Sequence, residues 1–327
     1  MYHGIINIYK EAGYTSHDVV AKLRGILGQK KIGHTGTLDP DATGVLPVCL
    51  GVGTKLCDML TDEDKEYVAE LYLGVTTDTQ DMTGTVLSHG EVSIDEERLK
   101  EIIYSFQGEY EQLPPMYSAL KVNGKKLYEL AREGKTVERR TRNVRIEEIE
   151  ILEIRIPIVK MRVVCSKGTY IRTLCDDIGK KAGCGGAMKS LERTRVGRFL
   201  IKDTLTLGRV QELVTGDGED RKYGKTEVDI EDYIISPDGM FPELDKLKVK
   251  KEYHKLLQNG NCLDLNMVYI TKSSADTVSE VSISKDNLPA DGERFCVYDE
   301  TGKFYGIYRF EGKDRVFMPV KMFITDK

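Results

Sequence analysis

The chain has 327 residues, 40% hydrophobic and 31% charged, a profile of a folded globular protein rather than a disordered one. No apolar run reaches the roughly 20 residues that span a bilayer, and the start, Met-Tyr-His-Gly-Ile-Ile-Asn, lacks the charged-then-apolar pattern of a secretory signal, so a cytoplasmic location is expected. The formal net charge of −5 argues, on global grounds alone, against nucleic acid as a partner.

The first strand is expected over residues 5–8 and a helix over 16–27. Thr15 and Asp18 form a capping box there, and Val19, Val20, Leu23, Ile26 and Leu27 form the apolar face, with Gly28 as the stop. Residues 33–44 are too rich in Gly, Thr and Pro for regular structure and run into an apolar strand over 45–50. A short helix near 54–60 precedes a strand over 66–73, and Leu99, Ile102, Ile103 and Phe106 mark another helix. Asn123-Gly124 reads as a turn before a basic helix over 125–132. Strands follow around 145–156 and 159–165, then a helix over 170–181 closed by Gly183.

Residues 216–239 are polar and acidic, the composition of a linker. Beyond them come short strands at 267–270, 281–283, 295–298 and 304–310, the last two joined by a hairpin loop with Gly302 in a left-handed position. The expected fold class is α+β, a mixed, largely antiparallel sheet with flanking helices over residues 1–240, followed by a small β-rich domain over 245–327.

Seven scattered cysteines without a Cys-x-x-Cys pair, and five histidines without i, i+4 pairing, supply neither a disulfide framework nor a zinc site. No Rossmann or Walker loop occurs, so the expected chemistry uses no metal and no cofactor. Charge is unevenly spread. From Lys121 to Arg145 nine basic residues face only Glu129, Glu133 and Glu138, a local field that can bind RNA on an acidic protein or serve as a solvated face.

In the 33–44 loop, Asp39 precedes Pro40, which disfavours helical geometry and presents the carboxylate from an extended or turn conformation. A carboxylate fixed this way serves as nucleophile, general base or loop cap.

Gly-His-Thr-Gly-Thr-Leu-Asp-Pro-x-Ala-Thr-Gly, followed by Leu-Pro-x-Cys-Leu-Gly, closely resembles the signature of TruB-type tRNA pseudouridine synthases. In the family's order come Lys65-Glu66-Tyr67, Thr77-Asp78-Thr79-Gln80-Asp81, Pro114 to Lys121, Gly124 to Tyr128, and Cys165 to Arg172. The resemblance covers residues 1 to about 210, and the tail is similar to a PUA domain, which binds RNA. It implies the pseudouridine synthase fold and an isomerase acting on the uridine at position 55 in the T-loop of tRNA.

By the same resemblance Asp39 is the nucleophile, Arg172 its paired arginine and Tyr67 the tyrosine that stacks on the flipped base. Tyr170 and Leu191 border the pocket, Lys55 and Asp81 lie near it, and His34 enters the T-loop in the place of the flipped base. The basic stretch 115–143 corresponds to an RNA-gripping insertion, with Lys125, Lys126, Arg139, Arg140 and Arg142 as phosphate contacts. Asp41 departs from the apolar residue of many relatives and, facing the pocket, would raise the Asp39 pKa. The partner implied is the tRNA T-stem-loop, engaged by a monomer without an obligatory protein partner. Guide-RNA-dependent synthesis, a non-catalytic tRNA-folding role and a metal-dependent hydrolase are the competing readings.

Overall fold

The computed structural model describes residues 1–122, 124–216, 229–274, 277–283 and 287–324. The chain opens with β1 (Gly4–Lys10), α1 (Ser16–Ile26), β2 (Ile32–His34), β3 (Thr43–Leu50), α2 (Cys57–Thr61) and β4 (Lys65–Leu73). Next come β5 (Val75–Thr77), β6 (Val86–His89), α3 (Glu96–Tyr104), β7 (Gly108–Gln112), β8 (Lys121–Val122), β9 (Lys125–Lys126) and α4 (Leu127–Arg132). Then follow β10 (Arg142–Arg155), β11 (Ile158–Cys165), α5 (Ile171–Lys181), β12 (Gly186–Val196), β13 (Phe199–Leu200), α6 (Leu207–Thr215) and β14 (Ile234–Ile235). The C-terminal part holds β15 (Asp245–Val249), α7 (His254–Gln258), β16 (Leu263–Asp264), β17 (Val268–Ser274), β18 (Thr277–Ser282), β19 (Arg294–Tyr298), β20 (Phe304–Glu311) and β21 (Val316–Met322).

Among the described residues one sheet runs β14-β1-β3-β12-β4-β11-β10-β7, with β2 on β3 and β13 on β12. All its pairings are antiparallel except β12 with β3, where Arg193 lies beside Gly44. The second sheet runs β16-β21-β20-β19-β15-β17-β18. This is the mixed, largely antiparallel α+β architecture expected, with a separate C-terminal β-sheet. No helix among the described residues is long and apolar enough to cross a membrane.

The helices cover the large sheet because their apolar stripes must be removed from water. α1 has its capping box, Thr15 against Asp18, and buries Val19, Val20 and Leu23 against Ile6, Ile8 and Leu46. α5 buries Ile171, Leu174, Cys175 and Ile178 against Leu71, Met161 and Met188. A further cluster joins the two sheets: Ile5, Val45, Cys49 and Leu56 pack with Ile307 and Phe323, and Phe304 stacks on Phe323 at 5.4 Å.

Several expectations change. β2 extends regular pairing into the loop, with Gly33 opposite Cys49 and His34 opposite Val48. Residues 51–56 form a 3-10 turn before α2. The basic helix begins only at Leu127, because Lys125 and Lys126 pair with Lys121 and Val122 as a hairpin whose Asn123 lies outside the described residues. Of the acidic linker, 217–228 lies outside the described residues, whereas Ile234 and Ile235 pair with Ile6 and Ile5 as the edge strand of the large sheet. Gly302 is left-handed as expected, at φ +85°.

Gly44 marks the point where the loop meets β12. Its φ is +106°, and a Cβ there would lie 2.2 Å from the Arg193 carbonyl oxygen, whereas Gly28, at φ +60°, has open space around it. Gly28→Ala is therefore expected to cost only the left-handed penalty, about 1 kcal/mol. Gly44→Ala adds a backbone clash and lowers stability several-fold more, as read by denaturant unfolding of the two variants side by side.

Candidate active site

Asp39 is fixed by a loop that is bonded at almost every residue. The Leu38 N–H donates to Ser16 Oγ at 2.9 Å, Thr35 N to the Pro47 carbonyl at 3.2 Å, and Ala42 N to the Asp39 carbonyl at 3.1 Å. Leu38 itself is buried, packed in the same apolar cluster as Tyr67 and Leu191. Two buried cations hold the loop from below. Lys10 Nζ donates to the carbonyls of Pro40 at 2.9 Å and Ala42 at 2.5 Å. Arg193 Nε donates to Val45 at 2.7 Å and its Nη2 to Gly36 at 3.4 Å. The order imposed on the loop removes entropy that its three internal glycines would otherwise leave free.

Opposite the loop, the first turn of α5 presents Arg172. Gln112 sets this turn by bonding both backbone groups of Tyr170, accepting from its N at 2.8 Å and donating to its carbonyl at 3.0 Å. The guanidinium meets Asp39 with Nε at 3.0 Å from Oδ2 and Nη2 at 3.4 Å from Oδ1. Its other contacts are the Tyr117 carbonyl at 2.8 Å, the Thr79 carbonyl at 3.2 Å and Asp81 Oδ2 at 3.5 Å. Asp81 is oriented in turn by Thr79 and Thr83, whose hydroxyls donate to its Oδ1 at 2.7 and 2.6 Å. Arg172 is 7% exposed at its side chain, while Asp39 keeps 40%, so the carboxylate is the part of the pair that a ligand can reach.

Tyr67 lies on β4 directly opposite Arg193 on β12, so the two side chains share one face and the guanidinium hydrogen-bonds the phenol. Leu191, two residues before Arg193, lies on the same face and completes an apolar floor with Tyr67 and Leu38. Burial pushes the hydroxyls of Tyr67 and Tyr170 up, so both are neutral phenols near pH 7, with Arg193 drawing Tyr67 partly back. His34 stands at the end of β2, edge-on to His17 at 5.2 Å. Burial, then His17 and Arg193, push its pKa down, which leaves the ring uncharged at neutral pH.

The structure therefore brings Asp39, Arg172, Asp81, Tyr67, Tyr170 and Leu191 together, with His34 on the same loop as Asp39. Lys55 is placed elsewhere: its ammonium donates to the Met322 carbonyl at 2.8 Å and ties the 3-10 turn to the C-terminal sheet. Lys125, Arg140 and Arg142 are exposed on the basic segment, Lys126 lies over the Tyr128 ring, and Arg139 is engaged by the Pro114 carbonyl at 2.8 Å. Asp41 is exposed and makes the last of the named contributions to the Asp39 pKa, behind burial, Arg172, Asp81 and Lys10. Lys10 and Arg193 were not singled out from the sequence. The available signal was a charged residue in phase with Ile6 and Ile8 on β1, and another in phase with Leu191.

Burial outweighs Arg172 at Asp39, so the carboxyl pKa is raised rather than lowered. Ionised Asp39 thus opposes folding above its unfolded pKa, and that cost is relieved as pH falls through the folded value. In a carboxyl-carbon NMR titration Asp39 is expected to titrate above the ordinary value of about 3.9. Arg172→Met should move it higher and Asp81→Asn lower; shifts of the opposite signs contradict this balance.

The model of the TruB family pseudouridylate synthase N-terminal domain matches residues 24–171, and that of the tRNA pseudouridylate synthase B C-terminal domain matches residues 172–235. The chain is 49% identical to "tRNA pseudouridine synthase B" of Lachnoclostridium phytofermentans, over 98% of this chain and 100% of the relative. It is 42% identical to the protein of the same name from Alkaliphilus oremlandii, over 99% of each. Among solved structures it is similar to a chain of a Cbf5-Nop10-Gar1 complex, with 27% identity, a TM-score of 0.66, and 98% of this chain and 85% of that one covered. A chain of an H/ACA RNP bound to a substrate RNA containing 2′-deoxyuridine gives 25% identity, a TM-score of 0.65 and the same coverage. With two family models spanning most of its length and relatives matched nearly end to end, the chain belongs to the TruB family of pseudouridylate synthases.

Proposed function

We propose that this chain isomerises the uridine at position 55 in the T-loop of tRNA to pseudouridine, with Asp39 as the nucleophile, acting as a monomer in the cytoplasm. The observation that carries the reading is the half-open Asp39 carboxylate, held by Arg172 above an apolar floor of Tyr67, Leu38 and Leu191. The reaction breaks the bond from C1′ to N1 and forms one from C1′ to C5, and N1 gains a proton as C5 loses one. Atoms and electrons balance within a single nucleotide.

Each side chain has a task. The raised pKa makes the ionised form of Asp39 a stronger nucleophile than a solvated carboxylate. Arg172 aims it and stabilises its charge. The Tyr67 ring offers a stacking face to uracil taken out of the T-loop, and neutral His34 replaces the stacking that the loop loses, an effect of about 1–3 kcal/mol per base. Lys125, Lys126, Arg140 and Arg142 contact phosphates, which sets the register of the RNA rather than its sequence.

The likeness to a chain of an H/ACA RNP bound to a substrate RNA favours a second reading, synthesis within an RNA–protein particle directed by a guide RNA. Incubating the purified chain with an unmodified tRNA transcript alone separates the two. Pseudouridine at position 55 is the expected product, whereas product formed only with a guide RNA supports the second reading. Asp39→Asn should abolish product, on the order of 10³-fold or more in rate, while tRNA affinity stays within about threefold. Product from Asp39→Asn at the wild-type rate removes Asp39 from the chemistry.

The basic segment makes a separate prediction. Arg140→Ala and Arg142→Ala should each weaken tRNA binding uniformly and reduce the slope of log affinity against log salt by about 1. Filter binding over a salt series reads this directly, and unchanged slopes place the phosphate contacts elsewhere.

A further inference from the structure

Gln80 has a left-handed backbone, φ 64°, among the described non-glycine residues one of two with positive φ. For an L-residue with a Cβ this conformation is unfavourable, and the side-chain bonds that hold it there are all directed at one helix. Gln80 Nε2 donates to Asp176 Oδ2 at 2.7 Å, and Gln80 Oε1 accepts from the Thr173 hydroxyl at 2.8 Å. Both partners are on α5, one and four residues after Arg172. Asp176 is buried and has a second donor, Lys180 at 2.5 Å. The Gln80 backbone is stitched to β12, its carbonyl accepting from the Met188 N–H at 3.0 Å, while Met82 N donates to the Met188 carbonyl at 3.0 Å.

This arrangement sews the 77–84 turn into the corner between α5 and β12. Its consequence lies on either side of Gln80. The preceding residue gives its carbonyl to Arg172 Nη1 at 3.2 Å, and the following residue gives its carboxylate to the same nitrogen at 3.5 Å. Two acceptors flanking one left-handed residue converge on one donor. An extended or helical conformation at position 80 would turn one of them away, since consecutive peptide groups change direction through φ and ψ.

We propose that Gln80 is a positioning residue for the reaction: clamped to Thr173 and Asp176, it holds the Thr79 carbonyl and the Asp81 carboxylate on Arg172, and so fixes the guanidinium that aims Asp39. The inference rests on the reading of this site as the place of pseudouridine formation. Arg172 Nη1 is occupied by these two acceptors, which leaves Nε and Nη2 for Asp39 and Tyr117. When the clamp is removed, Arg172 gains rotational freedom about its last side-chain torsions, and the carboxylate loses its aim without losing its partner.

The test compares Gln80→Gly and Gln80→Glu with wild type. Glycine relieves the backbone cost, so Gln80→Gly should unfold within a few degrees of wild type although it lacks the clamp. Glutamate keeps the length and the acceptor but sets a carboxylate against Asp176 in place of the amide donor. Both variants should bind tRNA with KM within about twofold of wild type, and single-turnover pseudouridine formation should fall about tenfold to a hundredfold. Neither should lose further rate in an Arg172→Lys background, because the clamp acts through the guanidinium. In nitrogen-15 spectra of the free protein, the Arg172 Nη signals should show hindered rotation in wild type and lose it in Gln80→Gly.

Wild-type rate in Gln80→Gly, an undiminished additional loss in the Arg172→Lys background, or an unchanged Arg172 signal overturns the proposal. Arg172 freed in Gln80→Gly, in a protein whose wild type makes no pseudouridine, supports the clamp and sinks the functional reading instead.

Discussion

Holding a carboxylate beside a buried arginine in a recess that strips it of part of its water is the constraint around which this molecule is arranged. Desolvation disfavours the ionised form, and an isolated buried charge neutralises rather than persists. At Asp39 burial and an opposite charge pull in opposite directions. Enough of it stays open to be reached, and Arg172 supplies the opposite charge at 3.0 Å. The compensation is incomplete, and the incompleteness is chemically useful: a carboxylate that is partly reluctant to be charged is a better electron-pair donor than one stabilised fully by salt bridges and water.

The scaffold follows from that requirement. β12 runs parallel to β3 and antiparallel to β4, so one strand carries Arg193 past both the end of the Asp39 loop and the Tyr67 side chain. Lys10 and Arg193 are held by backbone carbonyls, and neither has a carboxylate within ion-pair reach among the described residues. Their positive charge is thus satisfied by dipoles but not cancelled. Burial pushes the Lys10 ammonium down to about 8 even so, with Asp41 and Asp39 pulling it back up. Two cations without a carboxylate partner beneath the Asp39 loop give the recess a positive background, which tolerates a part-buried carboxylate.

Much of this was legible in the residues because local and global preferences agree. α1 announces itself by Thr15 and Asp18, α5 by the Gly183 that closes it, and the loop by its glycines and Pro40. The family signature then supplied the pairing of Asp39 with Arg172, residues 133 positions apart that no local rule connects. What stayed hidden has physical reasons. β12 reads poorly as a strand because bulges after Met188 and Arg193 break the alternation that identifies one, and because its buried face carries an arginine. Lys125 and Lys126 look helical by composition, yet a four-residue hairpin claims them. Lys55 matches by resemblance a polar position near the pocket and is drawn instead to Met322, a partner 267 residues away whose approach depends on how the C-terminal sheet docks. Such long-range docking leaves no periodic trace in the chain.

That docking has a mechanical side. The strand that ends the Asp39 loop, β3, contributes Val45 and Cys49 to the apolar cluster shared with Ile307 and Phe323 of the C-terminal sheet. The two sheets are therefore not beads on a string: a shared apolar core fixes how one packs on the other. A ligand long enough to touch both meets surfaces whose spacing is already decided, so the second contact is made at high effective concentration and without the entropy of ordering a hinge. The same packing makes that spacing a measure of shape: a molecule whose two contact points are spaced differently reaches one sheet and forfeits the other.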